Sequence, residues 1–91
     1  MSRAPDLVEQ LFNAAFDKPR DPRSAEYKEG VRATLMYRLT GDRVRCPYAP
    51  QLAQSDAWYA GTEEGHLIWR AHQEAVAKRI AAMSAELSEV C

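Results

Sequence analysis

Three features of this 91-residue sequence predict an all-α fold with no sheet. Apolar residues recur three and four apart in three separate stretches. Proline and glycine punctuate the chain between those stretches. Near the C-terminus one apolar seam runs for roughly 30 residues without a proline, about 45 Å at the helical rise. The length allows one small domain. With 46% hydrophobic and 27% charged residues the composition is that of a globular chain. No apolar run approaches the roughly 20 residues a membrane-spanning helix needs. The opening Met1-Ser2-Arg3-Ala4-Pro5-Asp6 turns polar and acidic without a signal-type apolar core, so the expected location is the cytoplasm.

The first helix is expected over about residues 5–17. Pro5, preceded by Ser2 or Ala4, suits an early helical position, where a missing N–H goes unnoticed. Leu7, Val8, Leu11, Phe12, Ala15 and Phe16 then form one apolar face. The two prolines of KPRDPR, residues 18–23, break the pattern. Asp21-Pro22 reads as a cap followed by proline in the first turn, opening a second helix over 22–40 that Gly41 stops. Its inward face is Tyr27, Val31, Thr34, Leu35 and either Arg38 or Leu39. Gly30 sits inside that helix at a cost of about 1 kcal/mol relative to alanine, which implies a close neighbour. Pro47 and Pro50 keep residues 41–54 extended. The third helix, over 55–88, takes Ser55 or Asp56 as its cap. It carries the seam Trp58, Gly61, Gly65, Ile68, His72, Ala75 or Val76, Arg79 or Ile80, Met83 and Leu87.

Such a seam needs a cover. The second helix can take its N-terminal half, with Gly30 on one side and Gly61 and Gly65 on the other letting the backbones approach. The first helix, or a second copy of the chain in a homodimer, is left for the C-terminal half. Trp58 and Trp69, eleven apart, read as core anchors. Cys46 and Cys91 read as free thiols; Cys46 tucks the connector under the helices, or serves as a nucleophile if Arg43 and Arg45 lower its pKa.

The net charge of −1 hides an uneven distribution. Residues 18–45 hold eight bases against four acids, flanked by acidic segments, which points either to an anionic partner or to a solvated helix face. Catalytic and metal chemistry find no support. There is no G-x-x-x-x-G-K-[ST] phosphate loop, and His66 and His72 are six apart, on different sides of a helix. Glu63 and Glu64 beside His66 read as a solvated face. The expectation is a non-enzyme without cofactor or metal.

The order of the unusual residues carries one further signal. Tyr27-Lys28-Glu29-Gly30, the basic Arg43-Val44-Arg45, then Cys46-Pro47-Tyr48, and Gln54 followed by Trp58, Gly61 and Gly65 resemble the ribosome modulation factor family and the wider group of small proteobacterial and phage-borne proteins sharing its fold. The likeness covers about residues 25–70. It implies a helical hairpin joined by a C-P-Y connector, here with an extra N-terminal helix and an extended C-terminal one. Cys46, Pro47, Trp58, Gly30, Gly61 and Gly65 would be its structural motif. It also implies binding to ribosomal RNA and ribosomal proteins. Arg43, Arg45 and Tyr48 would be the RNA contacts, with Arg38 and Arg32 from the same basic stretch. The competing expectation is a prophage or mobile-element protein that binds or inhibits a host protein through its long third helix.

Overall fold

The computed structural model describes residues 4–20 and 22–90. Among them the chain forms three helices and no strand: α1 (Ala4–Phe16), α2 (Ala25–Thr40) and α3 (Ala53–Val90). The all-α reading holds. The long axis measures 60 Å against 30 and 24 Å across, because α3 runs far beyond the other two helices.

α1 is amphipathic as its spacing requires. Val8 and Phe12 are buried, with Leu7, Leu11 and Phe16 packed beside them. Its last turn closes with the Asp17 N–H donating to the Asn13 carbonyl at 2.8 Å. α2 begins three residues later than the Asp21-Pro22 signal predicts. Asp21 lies outside the described residues, Pro22 is not helical, and the Ser24 hydroxyl accepts from the Tyr27 N–H at 3.1 Å as the N-cap. Just before this start the Arg20 guanidinium is held to the Ala15 carbonyl and to Glu64 of α3. The far end of α2 follows expectation: Gly41 adopts φ 85° and its N–H donates to the Tyr37 carbonyl at 2.7 Å.

α3 starts at Ala53, two residues earlier than Ser55. A turn at Pro50-Gln51, with Gln51 at φ 73°, leads into it. The Leu52 carbonyl accepts the N–H groups of both Ser55 and Asp56 at 3.1 Å. Ser55, only 4% exposed, is therefore a packed residue of the first turn and not the cap.

α2 and α3 meet backbone to backbone. A Cβ placed on Gly30 would collide with the Trp58 carbonyl oxygen and lie 2.9 Å from its carbon; a Cβ on Gly61 would collide with the Tyr27 carbonyl oxygen, 2.9 Å from its carbon. The contact is reciprocal, each glycine receiving the carbonyl of the aromatic residue three positions before the other. Gly65, one turn further on, faces Thr34 and Val31. Partner numbers rise together along both helices, so α2 and α3 run in the same sense where they cross. The connector must then carry the chain back along α2. The bond from the Tyr48 hydroxyl to Glu29, near the start of α2, marks that return.

With the backbones this close, Val31 and Leu35 of α2 are wholly buried against Trp69 of α3 and Val8 and Phe12 of α1. Each such aliphatic side chain contributes about 1.5–3 kcal/mol. α1 meets α3 in the cluster that holds Trp69, with Ile68 packed against it. It does not cover the C-terminal half of the seam. Past Val76 the described side chains of α3 are exposed, with Ile80 at 59% and Met83 at 57%.

A clasp ties the irregular segment before α2 to this pair. The Arg20 guanidinium grips both oxygens of Glu64 at 2.9 Å, and the Tyr27 hydroxyl donates to the same carboxylate. Arg20 is the main reason the Glu64 carboxyl lies below its ordinary value; burial opposes it, and Tyr27 acts with Arg20. Burial is the first cause raising the Tyr27 phenol, and Glu64 adds to it.

Two outcomes follow. Gly30→Ala or Gly61→Ala gains about 1 kcal/mol of helix propensity but forces the helices apart. The net change should be a loss of about 2 kcal/mol or more, on the order of a 10 °C fall in Tm for a domain of this size, read by thermal circular dichroism. An unchanged or raised Tm would contradict the contact. Because the folded-state pKa of Glu64 is depressed, its stabilisation is complete above the ordinary value of 4.5 and is lost as pH falls through the lower folded value. Glu64→Gln should therefore cost roughly 1–2 kcal/mol at neutral pH. Its urea midpoint should also vary less than the parent's between about pH 5 and pH 3.

Candidate functional site

The connector, the outer side of α2 and the first turns of α3 enclose a groove of about 760 Å³. Its base is the buried edge of the helix pair: Thr34 from α2, Ser55 and Trp58 from α3. Each wall delivers an aromatic ring. Tyr37 comes from α2, Tyr48 from the connector and Tyr59 from α3. Arg43 and Arg45 lie on the connector side, and His66 closes the far end.

The connector is fixed by local bonds at both ends. At its start the Thr40 hydroxyl donates to the Met36 carbonyl at 2.8 Å and accepts the Asp42 N–H at 3.2 Å. At its other end the half-buried Cys46 thiol points at the Tyr48 carbonyl, 3.7 Å away. The Tyr48 hydroxyl donates to Glu29 Oε1 at 2.7 Å. That bond is the chief cause holding the Tyr48 phenol up at about 12, because ionisation would lose it and set a phenolate beside a carboxylate. Tyr48 thus anchors the connector through its hydroxyl while its ring lines the groove.

The five candidate RNA contacts separate. Arg43, Arg45 and Tyr48 come together on the groove. Arg43 lies 5.5 Å from the Tyr37 ring centre, and among the described residues neither arginine makes an ion pair. Arg38 is exposed in the last turn of α2 and does not line the groove. Arg32 faces α1: it holds Glu9 with two bonds of 2.9 and 3.0 Å and covers the Phe12 ring at 4.1 Å. Other bases of the stretch are employed in the same way. Arg20 and Lys28 lie over Phe16 and Arg23 over Tyr27. Within the basic stretch, Arg20, Arg23, Lys28 and Arg32 therefore lie over aromatic rings, Arg43 and Arg45 face the groove, and Arg38 belongs to neither set.

Tyr37, Tyr59 and His66 were not among the sequence candidates. Tyr59, Thr62 and His66 follow one another at spacings of three and four beside the apolar seam, a polar stripe that the seam itself obscured. Tyr59 is 57% exposed and stands edge-on to Trp58, with ring centres 5.2 Å apart. Glu64 and His66, read together as one solvated face, instead open onto different grooves; Glu64 sits with Tyr27 and Leu67 in the second. Among the described residues no three His, Cys, Asp or Glu side chains are grouped to hold a metal ion, and no helix is long and apolar enough to cross a membrane. Comparison with family models, with curated proteins and with solved structures yields no match.

What the groove offers is planar rings, two guanidinium groups and an imidazole around a wide, open trough. A phenolate absorbance titration can isolate the anchoring bond. Tyr48 stays protonated as pH rises past 10 and ionises near 12, and the bond's contribution to stability is present below 10 and lost across that interval. Tyr48→Phe should delete a late-ionising phenol, and Glu29→Gln should bring that ionisation back toward 10. A titration curve unmoved by Glu29→Gln would show that Glu29 does not hold Tyr48.

Proposed function

We propose that this protein is a small RNA-associated regulator of the ribosome modulation factor type, acting in the cytoplasm on ribosomal RNA or the proteins around it. One observation carries the reading: Tyr37, Tyr48 and Tyr59 gather in a single groove with Arg43 and Arg45. Unpaired bases stack on tyrosine rings at about 1–3 kcal/mol per base, with little regard to sequence. Arginines without carboxylate partners are available to phosphates as charge-assisted donors. The helix pair joined through Cys46-Pro47-Tyr48 supports the same reading, since those residues carry the family resemblance and Cys46 and Tyr48 also line the groove. In this reading no catalytic step, cofactor or metal is involved.

The modest positive charge bounds the electrostatic share. Two phosphate contacts on a single strand give a slope of log K against log salt of about −1.4. Stacking must supply the rest of the affinity. A second reading, a regulator that binds a host protein through α3, is favoured by the uncovered Ile80 and Met83.

The test is fluorescence anisotropy with a labelled, unstructured single-stranded RNA at several salt concentrations. Binding should weaken with salt along a slope between about −1 and −2. Arg43→Ala/Arg45→Ala should reduce it by about tenfold or more, and Tyr59→Ala, which removes an exposed ring of the groove, by a similar factor. Co-sedimentation with purified small ribosomal subunits at low salt, lost in the double arginine variant, would extend the result from RNA to the ribosome. Absence of RNA binding at the lowest salt, or binding indifferent to both arginines, would overturn the proposal.

A further inference from the structure

The C-terminal arm of α3 is the part of the molecule that its own fold leaves unused. Past Val76, which is still half-buried, every described side chain of the helix is exposed, and its apolar positions continue without a cover through Ile80 and Met83. Val76, Ile80, Met83, Leu87 and Val90 alternate by four and three, a heptad pattern with Ile80 and Leu87 at a and Val76, Met83 and Val90 at d. Within the body the same line passes through the buried Trp69, seven positions before Val76. The stripe facing the core is thus continuous with the stripe facing solvent.

We propose that this arm pairs antiparallel with the same arm of a second copy of the chain. The occupant is chosen by charge. In the antiparallel register that sets Ile80 opposite Met83 of the second copy and Val76 opposite Leu87, the flanking g positions are Arg79 and Glu86, and each Arg79 falls beside the other copy's Glu86. The two-fold axis makes that pair twice. The e positions meet as Ala77 and Ser84, small and neutral. A parallel pairing would set Arg79 against Ser84 and lose both ion pairs.

Length agrees with the same register. Val90 of one copy falls opposite Gln73 of the other, three residues before the half-buried Val76 beyond which the arm is exposed, so the two bodies stand at opposite ends of the paired arms. Antiparallel alignment also opposes the two helix dipoles favourably. Partner and host meet over fewer than three heptads, so the dimer is expected to dissociate on dilution.

Sedimentation equilibrium of the full chain over a wide concentration range tests this. The expected result is a monomer–dimer equilibrium. Met83→Glu should abolish the dimer while leaving the Trp58 and Trp69 fluorescence of the body unchanged, since Met83 touches no core residue. Arg79→Glu should weaken dimerisation by roughly tenfold or more by facing like charges, and Arg79→Glu/Glu86→Arg should restore it. A monomer at every concentration overturns the proposal. So does a dimer indifferent to Met83→Glu, which would use another face, or one indifferent to Arg79→Glu, which would not be antiparallel in this register.

Discussion

The structure depends on one constraint: two helices that cross at backbone distance. Gly30 receives the Trp58 carbonyl and Gly61 receives the Tyr27 carbonyl, and no side chain intervenes. Contacts of a Cα–H group with a carbonyl oxygen are individually weak, and small residues earn their place in such crossings by bringing everything around them within packing range. Here that range lets Val31 and Leu35 close on Trp69, and it brings Tyr27 within hydrogen-bonding distance of Glu64. It also sets the direction of the chain. Because α2 and α3 run in the same sense, residues 41–52 have to return along α2, and the trough they enclose on the way becomes the groove.

Charge is distributed according to the same plan. On the α1 side, arginines and lysine lie over Phe12, Phe16 and Tyr27 and reach Glu9 and Glu64, so their stems cover apolar surface while their heads are neutralised or solvated. On the groove side, Arg43 and Arg45 have rings nearby but no carboxylate partner among the described residues. A chain with a net charge of −1 can therefore present a locally cationic, aromatic surface. What matters for an anionic ligand is which bases remain unspent, and net charge does not report that.

Much of the fold was legible because it rests on local chemistry. The face of α1 follows from its periodicity, the stop at Gly41 from its left-handed backbone, and the close crossing from glycines inside otherwise good helices. Two helix starts were misplaced. Asp21-Pro22 reads as a cap in isolation, but the observed cap of α2 is Ser24, whose hydroxyl accepts the Tyr27 N–H. Ser55 resembles a cap until the packing of α3 buries it. The groove was half legible: the resemblance pointed to Arg43, Arg45 and Tyr48, but Tyr37, Tyr59 and His66 are brought there by the crossing, which no linear spacing expresses. Arg32 stands apart from the groove for the converse reason, since its partners Glu9 and Phe12 lie 23 and 20 positions away and meet it only in three dimensions.

The most direct test of the crossing is a nuclear Overhauser spectrum of the labelled protein in solution. The structure requires cross-peaks between the Gly30 α-protons and the Thr62 amide, and between the Gly65 α-protons and the Thr34 methyl, because a Cβ at either glycine would stand within 3.2 Å of those groups. Both should appear together. Helical chemical shifts along α2 and α3 without either cross-peak would mean that the helices form but do not meet in this way, and the groove built on their meeting would go with them.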